Sequence, residues 1–81
     1  MLDEVRKVLA DALQLGGRAN SMQAITPLLG NIPELDSMAV VTVITALEEQ
    51  YGFVVDDDEI SAETFATLGS LAQFVERKVN G

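Results

Sequence analysis

The sequence predicts an all-α fold, ordered as helix, long loop, helix, short helix, helix. Three observations carry that prediction. Apolar residues recur at three- and four-residue intervals near both ends of the chain, an unbroken segment of helix length runs from Ser37 to Tyr51, and little outside that segment could pair with it as a strand. At 81 residues, the span 1–81 reads as one domain with one core, near the small end of what folds unaided. A hydrophobic content of 48% is enough for such a core without metal or disulfide staples.

The first helix rests on Leu2, Val5, Val8, Leu9, Ala12, Leu13 and Leu15, which form one face, with Asp3, Glu4, Arg6, Lys7 and Asp11 largely on the other. Gly16-Gly17 is the expected stop. From Arg18 to Asp36 the chain holds Asn, Ser, Thr, Gly and both prolines, and reads as a long loop with at most one short turn. Loops of this length in small domains are often functional. Leu28, Leu29, Ile32 and Leu35 are the side chains expected to bury and pin it.

The segment from Ser37 to Tyr51 contains six consecutive β-branched residues, Val40 to Thr45, which by propensity favour a strand. It also continues without a breaker to Gly52, and its length is ordinary for a helix and long for a strand. Only Phe53-Val54-Val55 could serve as a partner strand, so helix is the better reading, with a buried strand as its alternative. Asp56-Asp57-Asp58-Glu59 opens a polar turn, and Ser61-Ala62-Glu63-Thr64-Phe65 reads as a short helix capped by Ser61. Thr67 caps a last helix through Lys78, with Leu68, Leu71, Ala72, Phe74, Val75 and Val79 as its apolar positions and Asn80-Gly81 as its end. Arg77 and Lys78 in the final turn suit the negative end of the helix dipole.

Composition removes several function classes. There is no cysteine and no histidine, so disulfides, thiolate metal sites, the commonest nucleophile and the commonest general base are all missing. An enzyme built on this chain is a remote prospect. Thirteen acidic against five basic residues give a formal charge of −8, which repels phosphate backbones and anionic lipid and invites a basic protein partner. Neither nucleic acid nor membrane is an expected partner. Met1 to Lys7 carries acids where a secretory signal would carry bases, so a cytoplasmic monomer is the default expectation.

The most informative residues are Asp36-Ser37-Met38, where the loop becomes a helix. A serine there suits a hydroxyl offered to an external enzyme. It also suits plain helix capping, for which Asp and Ser are both preferred, although Val40 is not the Glu or Gln of a capping box. Three further blocks accompany it: Thr26-Pro27-Leu28-Leu29, Ala46-Leu47-Glu48-Glu49-Gln50-Tyr51-Gly52-Phe53, and Phe65-Ala66-Thr67-Leu68-Gly69-Ser70-Leu71.

Together these blocks resemble the acyl carrier protein family, which includes the peptidyl carrier domains, over essentially the whole chain. The resemblance implies an acyl-carrier-protein-like bundle of three longer helices plus one short helix, with the long loop between first and second. It implies that Ser37 accepts phosphopantetheine from coenzyme A through a separate phosphopantetheinyl transferase, with Asp36 and Met38 as motif context. The arm would carry an acyl or aminoacyl group as a thioester, received from a loading ligase and passed to an acyltransferase or synthase. A non-catalytic carrier agrees with the missing Cys and His, because the reactive sulfur arrives with the prosthetic group. The helix N-terminus suits the attached phosphate, and Asp36, whose charge repels it, is expected to be read by the transferase or to order the loop.

Fatty acid carriers often bear acids just after the serine, where this chain has Ala39 and Thr42, with Glu48 and Glu49 further along. Either much of this helix start packs inward, or an exposed patch of Met38, Val40, Val41 and Ile44 meets partners by apolar contact; Val40, Val41, Ile44, Glu48 and Glu49 are the candidate partner-binding residues. The departure favours a specialised secondary-metabolite or polysaccharide pathway. The stretch from Pro33 to Val41 is also similar to carriers of exosortase and exopolysaccharide systems. Two other classes stay open: an unmodified carrier-like interaction domain and a small acidic metal-binding or regulatory protein. No metal site is expected at Asp56 to Glu59, since a calcium loop begun at Asp56 would place Ser61 where glycine is needed and Thr67 where the bidentate Glu belongs.

Overall fold

The structure, a computed structural model, describes residues 1–80. Three α-helices form its frame: α1 (Leu2–Leu13), α2 (Ser37–Tyr51) and α3 (Leu68–Asn80). Two 3₁₀ turns, Gly16–Ser21 and Asp57–Glu59, lie in the connections. Among the described residues there is no strand, only an isolated antiparallel bridge between Pro27 and Thr67. The fold is the all-α bundle that the periodicity predicts. No helix among the described residues is long and apolar enough to cross a membrane.

The β-branched run is helical throughout. Its propensity deficit is a few tenths of a kilocalorie per residue, small beside the burial of Val43, Ile44 and Leu47 in the core. Thr42 Oγ1 donates to the Met38 carbonyl at 3.1 Å, which satisfies its hydroxyl within the helix. Gly52, at φ 76°, takes the left-handed conformation that closes α2, and its N–H donates to the Glu48 carbonyl at 2.8 Å.

α1 stops two residues before the expected Leu15. Gln14, not a glycine, takes the left-handed position at φ 55°, and the Leu15 N–H returns to the Ala10 carbonyl at 2.9 Å. That turn drives Leu15 into the core, so it ends the helix by apolar burial before Gly16-Gly17 is reached. At the other end, α3 runs past Lys78 to Asn80, and the expected Gly81 terminus lies outside the described residues.

The short helix expected at Ser61 to Phe65 is replaced by a plain turn, with a single 3₁₀ turn at Asp57–Glu59 instead. Ser61 Oγ does face the Thr64 N–H, at 3.4 Å. The carbonyls of Phe65 and Ala66, however, accept from Leu29 and Leu28 across the molecule, so the segment bonds to the long loop and not to a further helical turn. The earlier turn is held by the Glu59 carboxylate, which accepts from the Asp56 N–H at 3.0 Å and pairs with Lys78 of α3.

The loop between α1 and α2 is the longest connection and the most tightly tied. Leu28 and Leu29 donate to the Ala66 and Phe65 carbonyls, while Leu68 and Gly69 donate to the Thr26 and Ala24 carbonyls, all at 2.8–3.1 Å. Leu28, Ile32 and Leu35 bury as expected. Leu29 does not; it is 41% exposed, because the backbone that bonds Phe65 turns its side chain outward. Thr67 and Ser70 open α3 with reciprocal hydrogen bonds, each N–H donating to the other's hydroxyl oxygen at 3.0 Å. α1 packs against both α2 and α3, with Val5, Leu9, Val43, Leu47, Leu71 and Val75 sealed from solvent between them.

Two predictions follow from these ties. A Cβ on Gly69 would stand 2.8 Å from the Ala24 carbonyl oxygen and 3.1 Å from Ala24 Cβ. Although alanine is the better helix former, Gly69→Ala is expected to cost about 1–3 kcal/mol through that clash, read by urea unfolding. The second concerns Glu59, whose carboxyl is held below the usual carboxylate range by its hydrogen bond to Lys78. A carboxylate with a lowered folded pKa adds stability above its unfolded value and loses it as pH falls through the folded one. Glu59→Gln is therefore expected to lower the melting temperature at neutral pH and to match the parent protein well below the ordinary carboxylate pKa of about 4, which thermal melts across that range would check.

Candidate functional site

The site is built where the tied loop meets α2. Leu35 is buried, so the chain reaches the helix from an anchored position. Asp36 is extended, at φ −104° and ψ −172°, and its Oδ1 accepts from the Ala39 N–H at 2.8 Å. Its carbonyl accepts the first helical bond, from the Val40 N–H at 2.9 Å. Asp36 is thus the cap and Ser37 the first residue of the helix. Of the two residues that could have capped, the acid does so, and the serine is released from that task. The Asp36 carboxylate thereby orders the start of the helix.

Ser37 is exposed, and its hydroxyl makes no hydrogen bond among the described residues. The N–H groups of Ser37 and Met38 precede the first helical bond and also find no partner among those residues. The result is a solvent-facing oxygen beside free donors at the positive end of a 15-residue helix. A phosphate ester would fit there: the N–H groups would face it, and the nearest carboxylate, Asp36, is already bonded to Ala39.

One charge near this site was missed by sequence reasoning. Arg18, from the first 3₁₀ turn, grips Glu34 in a two-pronged ion pair, Nη1 to Oε2 and Nη2 to Oε1, the second at 3.1 Å. The hydrogen bond from Arg18 holds the Glu34 carboxyl below the usual carboxylate range. The available signal was that Arg18 is the one basic residue between Lys7 and Arg77.

The candidate partner residues divide by helix face. At 100° per residue, Met38, Val41, Thr42, Thr45 and Glu49 share the outer stripe of α2, and Val43, Ile44 and Leu47 share the inner one. Met38 is 74% and Val41 57% exposed, and Glu49 is exposed as well. Val40 is half-buried, on the edge of the core. Ile44 is 5% exposed and belongs to the core, so the outward apolar patch expected to include it stops short of it. Glu48 is half-buried, and its Oε2 accepts from the Val55 N–H at 2.8 Å, tying the residues after α2 back to the helix. Elsewhere, a surface groove of about 970 Å³ lies between Glu59 and the last turns of α3, and its lining does not include Ser37.

Residues 3–75 match the family described as the phosphopantetheine attachment site. The solution NMR structure of a holo acyl carrier protein from Nitrosomonas europaea is similar to this chain, at 65% sequence identity and a TM-score of 0.91, over 99% of this chain and 96% of that one.

The cap is open to a direct test. Asp36→Ala is expected to cost about 1 kcal/mol and Asp36→Asn distinctly less, since asparagine caps nearly as well as aspartate. Denaturant unfolding of both variants beside the parent protein would measure it.

Proposed function

Since this chain belongs to the acyl carrier protein family, whose members hold phosphopantetheine covalently and catalyse no reaction themselves, we propose that Ser37 is its attachment residue and that it shuttles an acyl or aminoacyl group between enzymes. The observation that carries the assignment is the Ser37 hydroxyl, exposed and without an internal partner at the first position of α2. Its likeness to an acyl carrier protein favours an acyl cargo. The arm's terminal thiol supplies the sulfur on which the cargo rides as a thioester.

In this reading each residue of the chain has a limited task. Ser37 offers the oxygen that takes the phosphopantetheinyl group from coenzyme A, and the transferase supplies the base and the Mg²⁺. Asp36 fixes the helix start through Ala39, so the Ser37 oxygen is presented in one place. The N–H groups of Ser37 and Met38 and the helix dipole offset the charge of the attached phosphate. Met38, Val41 and Glu49, on the outer stripe of α2, meet the transferase, the loading ligase and the downstream acyltransferase or synthase. The formal charge of −8 speeds encounter with basic faces on those enzymes. The working compartment in this reading is the cytoplasm, and the specialised pathway remains the favoured setting because α2 carries Ala39 and Thr42 where acids would mark a fatty acid carrier.

Intact-protein mass after incubation with coenzyme A and a broad-specificity transferase tests the assignment. The parent protein is expected to gain one phosphopantetheinyl group and Ser37→Ala none, with helical content unchanged. An equal gain by Ser37→Ala would overturn the site. A folded parent protein that gains nothing with two different transferases would be an unmodified interaction domain instead.

A further inference from the structure

We infer that Arg18 is a positioning residue for the modification of Ser37, acting through its ion pair with Glu34. This rests on the assignment of Ser37 above. The pair spans 16 residues and joins the two ends of the connection between α1 and α2. At its near end Arg18 is set by its own backbone, the N–H donating to the Leu15 carbonyl at 3.2 Å and the carbonyl accepting from Ser21 Oγ at 3.2 Å. At the far end the Glu34 carbonyl accepts from the Asp36 N–H at 3.1 Å, and Asp36 is the cap that starts α2. A displacement at Glu34 therefore reaches the Ser37 oxygen through two residues.

The other ties of the loop do not duplicate this one. The four backbone bonds to the start of α3 hold residues 24–29. Beyond them, residues 30–36 are held by the burial of Ile32 and Leu35 and by turns within the loop itself. Besides the Asn31 side chain, which donates to the Pro27 carbonyl within the loop, and the Asp36 cap on Ala39, the guanidinium of Arg18 supplies the side-chain hydrogen bonds that link this stretch to the first 3₁₀ turn. Its two-pronged geometry fixes direction as well as distance, which a lysine at the same place would not do. The pair is exposed, with Arg18 57% and Glu34 37% accessible at the side chain, so it adds little to global stability and its effect is local.

Loss of the pair is expected to loosen the cap while leaving the fold intact. The test uses Arg18→Ala, Glu34→Gln and the exchanged pair Arg18→Glu with Glu34→Arg, each beside the parent protein. Amide hydrogen exchange at Ala39 and Val40, whose N–H groups bond Asp36, reads the cap in the unmodified protein. Loading kinetics with coenzyme A and transferase read kcat and KM for the carrier. Each single variant is expected to exchange faster at those two amides and to load with kcat/KM about tenfold lower, as a displaced nucleophile would, with kcat taking part of the loss. The exchanged pair is expected to recover most of both.

Unchanged exchange at Ala39 and Val40 in both single variants would overturn the proposal. So would faster loading of Arg18→Ala, which would mean that the freed Glu34 is read directly by the transferase, or an exchanged pair as slow as the single variants. If the parent protein is not loaded at all, the Ser37 assignment fails, and the exchange measurement, which needs no loading, still decides the role of the ion pair.

Discussion

The fold depends on the seam between the long loop and the start of α3. Four backbone hydrogen bonds cross it, with Leu28 and Leu29 donating from the loop and Leu68 and Gly69 donating from the first turn of α3, where helical N–H groups have no partner within their own helix. Backbone N–H and C=O groups outside a completed helix need partners, and here the loop, residues 65–66 and the first turn of α3 satisfy one another. Gly69 lets them approach, since a side chain there would strike the Ala24 carbonyl. With the seam closed, Leu28 and Phe65 are both buried in the core, and the loop becomes a fixed platform for α2.

That platform explains how one short motif can do two things. A helix start needs a cap, and a modification site needs a hydroxyl with no other engagement. Asp36 takes the first task through Ala39, which leaves the Ser37 oxygen unbonded and its own N–H and that of Met38 facing outward. Had Ser37 capped, its oxygen would have been bound to the first turn. In the proposed carrier the acid would thus be useful beside a phosphate that its charge opposes: it orders the helix start while its carboxylate is occupied by a backbone donor.

The composition of α2 follows from its two neighbours. Its inner stripe, Val43, Ile44 and Leu47, faces the core, and its outer stripe carries Met38 and Val41 among Thr42, Thr45 and Glu49. Apolar residues on both sides leave the helix weakly amphipathic, which is the opposite of α1, where Asp3, Glu4, Lys7 and Asp11 cover the solvent side. A helix that is apolar on a solvent face beside the proposed attachment residue is consistent with a surface that is covered intermittently by partner proteins. Glu48, by contrast, is kept at home by the Val55 N–H, so the acids at the end of α2 are not equivalent.

Much was legible from residues alone. The three- and four-residue spacing of Leu2, Val5, Leu9 and of Leu68, Leu71, Val75 marked α1 and α3, because one-sided burial leaves a periodic trace. Asp36-Ser37-Met38 at a loop-to-helix junction marked the candidate site, because capping chemistry is local. The missing Cys and His removed the commonest catalytic side chains from consideration without any structure. Other features needed the tertiary fold. Whether Val40 to Thr45 coils or extends was decided by burial against the core, which outweighs a small propensity term. Whether Leu29 or Ile44 faces water, whether residues 61–65 form a helix, and which acid Arg18 holds were all decided by partners sixteen or more residues away in sequence. Local patterns report how a segment meets solvent; they do not name the distant group that will take its hydrogen bonds, and for a chain whose longest loop is also its central support, that group sets the geometry.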